Sequence, residues 1–176
     1  MTRTVRDGID LSQERKDFVA LAREFAAREI RPRSRDVDEA DTESPMDLWA
    51  AAADVGLSSY MLPAEYGGGG VTDLVTQCLV QEELCHGDIG IGNFVTSNSF
   101  FAAPIQELGT AEQKKRWIAP LTGANPRITA LAVTEPGVGS DAAALRTRAV
   151  RDGEHYVLNG QKTWISNAPC AARIVV

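Results

Sequence analysis

The chain has 176 residues, 44% of them hydrophobic, and a formal net charge of −6 at pH 7. That apolar share excludes general disorder, and the length suits one ordinary domain, or one domain with part of another. The acidic balance, with no basic stripe, excludes a surface built to neutralise nucleic-acid phosphates.

The N-terminus carries Asp7, Asp10 and Glu14 and no apolar h-region, which disfavours a secretory signal or transit peptide. No stretch approaches the roughly 20 apolar residues of a membrane span, so a cytoplasmic location away from membranes is expected. Cys78, Cys85 and Cys170 form no CxxC and no metal-ligand spacing. Cys78 and Cys85 fall on one face of a predicted helix and are expected to be small buried apolar residues.

The first two-thirds reads as helices. Asp10 or Ser12 caps a helix with one apolar stripe, Phe18, Leu21, Ala22, Phe25 and Ala26, which Pro32 ends or kinks. Ser44 is the expected cap of a second helix, with Pro45 at its first position and Asp47 where a capping-box acid sits. Its inward positions are Leu48, Ala52 and Val55, and Gly56 stops it. The run Gly67 to Gly70 lacks the GxxxxGK[ST] pattern of a phosphate loop, so a flexible inter-helix connection is expected.

Thr72 then opens a nearly all-apolar helix through Leu74, Val75, Cys78, Leu79 and Leu84, expected to be buried on several sides. Glu82 and Glu83 are adjacent, so they point apart and read as solvent or inter-helix contacts rather than a facing acid/base pair. A further helix covers about 92–103 and is interrupted at Pro104. Thr110-Ala-Glu-Gln113 is a capping box opening a helix with Trp117, Ile118 and Leu121, closed by Gly123. Its cations Lys114, Lys115 and Arg116 read as a solvated face.

After Pro126 the period turns to alternation. Residues 128–134 read as a strand, and 145–150 and 155–158 as a hairpin about Asp152-Gly153. Asn159-Gly160 makes a second turn into 161–166. Residues 1–125 therefore read as an α-helical domain and 126–176 as the beginning of an antiparallel β domain, an α+β chain. A chain that stops within Arg173-Ile-Val-Val176 leaves strand groups unpaired, so a C-terminally truncated fragment of something longer is expected.

Two short runs carry chemistry. In Val133-Thr-Glu-Pro-Gly-Val-Gly-Ser-Asp141, the glycines leave backbone open to close approach and Thr134 and Ser140 supply hydroxyls. Such a loop offers N–H groups to anionic oxygens, whereas Glu135 and Asp141 are a poor choice for holding phosphate by charge. In Leu158-Asn-Gly-Gln-Lys-Thr-Trp-Ile-Ser166, a Trp beside a hydroxyl residue can pack on a flat cofactor while the hydroxyl bonds a ring nitrogen. Alone, the first run reads at least as well as an ordinary Gly-rich turn, and the second reads better as a core Trp beside a loop Ser. His86 and His155 read as exposed rather than catalytic.

Together, in this order, the two runs resemble the flavin-binding face of the acyl-CoA dehydrogenase family. Leu108-Gly-Thr-Ala-Glu-Gln-Lys-Lys-Arg-Trp117 resembles the end of that family's N-terminal helical domain, and the likeness covers essentially the whole chain. The resemblance implies FAD as cofactor and an acyl-CoA as substrate, oxidised to trans-2-enoyl-CoA. It implies that Leu131, Ala132, Val133, Thr134, Gly139 and Ser140 border the flavin, Thr134 at the pyrimidine edge and Ser140 near the pyrophosphate and the thioester. Trp164 with Ile165 then packs on the ring system and Ser166 addresses N5. The family often has Thr at this last position, and Ser keeps the hydroxyl but loses the methyl that fixes its rotamer.

The family's general base is a glutamate of a C-terminal domain, so no residue here is assigned as catalytic. The pocket floor is expected around Phe94–Phe101. An electron-transfer flavoprotein as acceptor and a homotetramer are also implied by the resemblance. Two alternatives stay open: a same-fold acyl-CoA oxidase or flavin monooxygenase, and a catalytically empty homologue that binds acyl-CoA or a partner.

Overall fold

The computed structural model describes residues 11–40, 44–123 and 125–176; Asp10, the alternative first cap, lies outside them. Ser12 accepts a hydrogen bond from the Arg15 N–H and caps α1 (Gln13–Phe25). Val19, Ala22, Phe25, Ala26 and Ile30 form its buried stripe, with Phe18 and Leu21 partly buried beside it. Pro32 neither ends the helical path nor leaves it regular. A π-helical turn (Ala26–Ile30) and a 3-10 turn (Arg31–Arg33) carry the chain into α2 (Ser34–Ala40). Widening the turn ahead of the ring relieves the clash that Pro makes with the preceding turn.

In α3 (Met46–Asp54), Pro45 rather than Ser44 is the cap residue, and no side chain caps it. The non-helical ψ of 69° at Pro45 starts the helix one residue late, beyond the reach of the Ser44 hydroxyl. Asp47 sits in the first turn but pairs with Arg33 at 2.7 Å. Leu48, Trp49 and Ala52 are buried, whereas Val55 lies past the helix end and is exposed. Gly56, with φ +81°, makes the expected stop.

The glycine run is not a flexible connection. Gly69 and Gly70 donate to the Ser59 and Leu62 carbonyls at 3.1 and 2.9 Å, and Val71 donates to that of Tyr60 at 3.0 Å. The chain folds back on itself so closely that a Cβ on Gly69 would lie 2.8 Å from the Tyr60 carbonyl oxygen.

Asp73, not Thr72, caps α4 (Leu74–Gly87), accepting from the Thr76 N–H at 2.9 Å. This helix is buried on one side, through Thr76, Leu79, Val80, Glu83, Leu84 and Gly87. Leu74, Val75 and Cys78 are exposed and Cys85 is half-buried, because the face they share turns away from α1 and from α5 (Ile89–Val95). The two cysteines do share a face, but it is the wrong one for core packing. Glu83 makes the expected inter-helix contact, a buried carboxylate paired with Arg23 at 2.9 Å.

The single helix expected over 92–103 is two helices. Asp88 caps α5, accepting from the Ile91 N–H at 2.9 Å, and α6 (Asn98–Leu108) runs through Pro104 with one ladder bond forgone. Thr110 and Gln113 form the expected capping box of α7 (Ala111–Ile118). Ile118 and Leu121 pack with Leu62, Phe101 and Ala102 in a second buried cluster.

Two small β units follow. β1 (Thr129–Leu131) pairs in parallel with β4 (Arg173–Val175), Ala130 opposite Ile174. β2 (Arg148–Asp152) and β3 (His155–Asn159) form the antiparallel hairpin, with Val150 opposite Val157. Asp152 pairs with His155, so Gly153 and Glu154 form the turn, Gly153 taking φ +59°. Residues 161–166 form no strand. The chain is thus α+β, helices first and the opening strands of a β domain after them. No helix among the described residues is long and apolar enough to cross a membrane.

Candidate functional site

Asn98, at the start of α6, ties the helices to the β region. Its side-chain amide donates to the Arg127 carbonyl at 2.9 Å, and its oxygen accepts from the Thr129 N–H and hydroxyl at 3.0 and 2.8 Å. Asn98 and Thr129 are both fully buried, so every bond in this set replaces a lost water. The tie holds β1 against α6, and residues of α5, α6 and β1 line a cavity of about 610 Å³. Phe94 and Phe100 line its helical side, and Leu131, Thr134, Trp164 and Ser166 its β side.

The two runs reach this cavity by different local devices. Glu135 and Val138 exchange backbone hydrogen bonds of 3.0 Å in each direction, closing a tight turn over Pro136 and Gly137. This turn ends the strand path just after Thr134. Trp164 lies in a bend with φ +57°, and Asn167 has φ +65°. Holding a Trp in the left-handed region costs about 1–3 kcal/mol, and such strain gathers at functional sites. The bend leaves Trp164 88% exposed while it lines the cavity. The Thr163 N–H donates to the Thr134 carbonyl at 3.0 Å, so the two runs meet through backbone one residue from Trp164.

Glu135 is the strongest electrostatic feature. Its buried carboxylate accepts from the Thr147 hydroxyl, from the Arg146 and Thr147 N–H groups at 2.8 Å each, and from Lys162 Nζ at 3.0 Å. The Thr147 hydroxyl first, then the two amides, hold this carboxyl down at about 2 against an ordinary 4.5. A depressed carboxyl stabilises the fold fully above its unfolded value, and the contribution is lost as pH falls through the folded one. The unfolding free energy of the native chain should therefore fall more steeply from about pH 5 to about pH 2 than that of Glu135→Gln. Denaturant titrations across that range check it, and parallel acid limbs would refute it.

Of the residues singled out from sequence, Leu131, Val133, Thr134, Trp164, Ile165 and Ser166 line the one cavity. Ala132 is buried instead, donating to the Val175 carbonyl at 2.7 Å. Gly139 and Ser140 are exposed beyond the turn and do not line the cavity. The helical floor is formed by Phe94 and Phe100, while Phe101 belongs to the second buried cluster. His86 and His155 are exposed. Asn98 and the bracing role of Glu135 are absent from the sequence reading, because their partners come from other segments.

An exposed aromatic plane, two hydroxyls and an apolar opposite wall suit a flat conjugated ligand with hydrogen-bonding edges.

The same two-part organisation appears in known proteins. The model for "Acyl-CoA dehydrogenase, N-terminal domain" matches residues 12–124, and that for "Acyl-CoA dehydrogenase, middle domain" matches residues 130–176. The cyclohex-1-ene-1-carbonyl-CoA dehydrogenase of Geobacter metallireducens is 39% identical over 168 residues, covering 94% of this chain and 43% of its own. A glutaryl-CoA dehydrogenase from Mycobacterium smegmatis, solved in complex with FADH2, superposes with a TM-score of 0.83 at 35% identity, covering 94% of this chain and 42% of that one. Butyryl-CoA dehydrogenase from Megasphaera elsdenii gives 0.80 at 29% identity, covering 93% and 43%. The chain spans 40–43% of the length of five curated relatives it matches. With both halves matched and the two runs meeting at one cavity, the chain belongs to the acyl-CoA dehydrogenase family.

Proposed function

We propose that this chain supplies the flavin-facing wall of an FAD-dependent enzyme that oxidises an acyl-CoA to the trans-2-enoyl-CoA. The observation that carries the reading is that Thr134 and Trp164, 30 residues apart in sequence (164 − 134), line one cavity. Residues 1–125 act as the helical domain that floors the site, and 126–176 as the opening of the β domain that walls it.

The residues present fit a flavin. Trp164 offers an uncovered aromatic face, Thr134 a hydroxyl at one edge of the cavity and Ser166 a hydroxyl beside the indole. Leu131, Val133 and Ile165 add apolar lining. Ala132 supports them through its bond to Val175, and Gly139 and Ser140, exposed beyond the turn, are assigned in this reading to the more polar parts of FAD or the substrate.

A flavin held there would supply the acceptor for the hydride from Cβ, with the Cα proton going to a base. The chain's part is to orient that ring, to keep water from its face and to present the acyl group from the Phe94 and Phe100 side. The family likeness implies a glutamate of a C-terminal helical domain as the base, and no residue of this chain is given that role. The family likeness implies an electron-transfer flavoprotein as acceptor and a homotetramer, while the cytoplasmic location rests on the acidic N-terminus and its lack of an apolar h-region.

The test is anaerobic mixing of the FAD-loaded full chain with a panel of short, branched and cyclic acyl-CoA thioesters. Bleaching of the visible flavin absorbance by at least one of them is expected, with enoyl-CoA formed in equal amount. A loaded protein that none of the panel bleaches would overturn the dehydrogenase assignment.

A further inference from the structure

We propose that Glu135 and Lys162 form a positioning pair that locks the Thr134 and Trp164 peptides into one flavin-binding surface. The inference rests on the flavin reading above and adds to it two residues that do not touch the ligand.

Two independent features of the geometry carry it. Lys162 Nζ donates to the Val133 carbonyl at 2.8 Å as well as to Glu135 at 3.0 Å, so its ammonium brackets Thr134 on both sides along the chain. Both side chains are largely withdrawn from solvent, Lys162 14% and Glu135 7% exposed. Burying such a pair is a poor way to gain stability, since apolar side chains of the same volume serve packing as well or better. Fixing a unique arrangement is what a fully bonded buried pair supplies.

The second feature is what the pair must replace. Residues 161–166 form no strand, and among the described residues one backbone hydrogen bond, Thr163 to Thr134, joins the two runs. Without further bracing, Trp164 is free to leave its left-handed bend, two residues from Lys162. Glu135 anchors the brace in turn to the start of the β2–β3 hairpin through Arg146 and Thr147. The clamp thus joins three segments behind the cavity wall, and Trp164 and Ser166 are aimed from it.

The test measures FAD binding by the full chain, in the wild type and in Glu135→Gln, Lys162→Met and the double variant. Each single substitution is expected to weaken FAD binding about 10- to 100-fold, the range in which partners lying behind a bound group act. The visible circular dichroism of the flavin that still binds should change, because the ring is held differently. The double variant should bind no more weakly than the weaker single, since one substitution already opens the clamp. Should Glu135→Gln not fold, Lys162→Met carries the test alone, because Glu135 keeps its donors from Arg146 and Thr147. Wild-type affinity and an unchanged dichroism in the single variants, or strictly additive losses, would overturn the pair. A wild-type chain that takes up no FAD would instead sink the flavin reading, and this inference with it.

Discussion

Gly68→Ala should lower the unfolding free energy by about 3 kcal/mol, the upper part of the usual cost of overpacking a close-packed site. The reason is steric and leaves no local escape. A Cβ at residue 68 would sit 2.6 Å from Leu62 Cβ, against the Leu62 peptide as well, and the backbone cannot rotate away. Gly68 also donates its N–H to the Pro63 carbonyl at 3.1 Å, so retreat breaks a turn bond. Leu62 is fully buried among Phe101, Ala102, Ile118 and Leu121, so the displacement reaches α6, whose Phe100 lines the cavity. Gly137→Ala is the control: nothing lies within 4 Å of its added Cβ, and its φ is not positive, so a change within about 0.5 kcal/mol is expected. Urea denaturation of both variants measures this. Equal stabilities would show that the 57–71 segment yields where it is described as locked.

How much of this was legible beforehand depended on the range of the interaction. The Thr110 capping box and the Gly56 stop are written within a few residues, and the structure has them where the sequence puts them. Boundaries slipped where a neighbour held a stronger card: Pro45 displaced the Ser44 cap, and Asp73 displaced Thr72. The split into α5 and α6 follows from a second cap, Asp88, that periodicity alone does not reveal. For α4, composition announced an apolar helix but not which face meets α1, and so misplaced Cys78 and Cys85.

The site divides in the same way. Thr134 and the Trp164-Ile165-Ser166 peptide could be named because the family resemblance is carried by two contiguous runs that contain them. Glu135 could not be given its role, since Thr147 and Lys162 reach it from 12 and 27 residues away. Asn98 was hidden for the same reason, its partner Thr129 lying 31 residues on. Ser140 was singled out with Thr134 from one motif, but the turn over Pro136 and Gly137 separates them.

Trp164→Ala should have the largest effect on the ligand itself. Covering about 100 Å² of one indole face at about 25 cal/mol per Å² contributes about 2.5 kcal/mol, so FAD affinity should fall about 50- to 100-fold. With 88% of the residue exposed, little packing within the chain is lost, so folded stability should change little. Thr134→Ala removes one hydroxyl near the same cavity and should cost about 1 kcal/mol, roughly fivefold. Its carbonyl keeps the bond from Thr163, so the wall itself stays in place.

The decisive measurement is therefore a titration of the full chain with FAD, followed by tryptophan emission and repeated with Trp164→Ala. A saturable quench is predicted in the wild type, and in the variant a binding curve shifted by that factor with a smaller quench, since the indole that lines the cavity is gone. No flavin uptake, or equal affinity and equal quenching in the two proteins, would contradict the claim that the two runs form one flavin-binding wall.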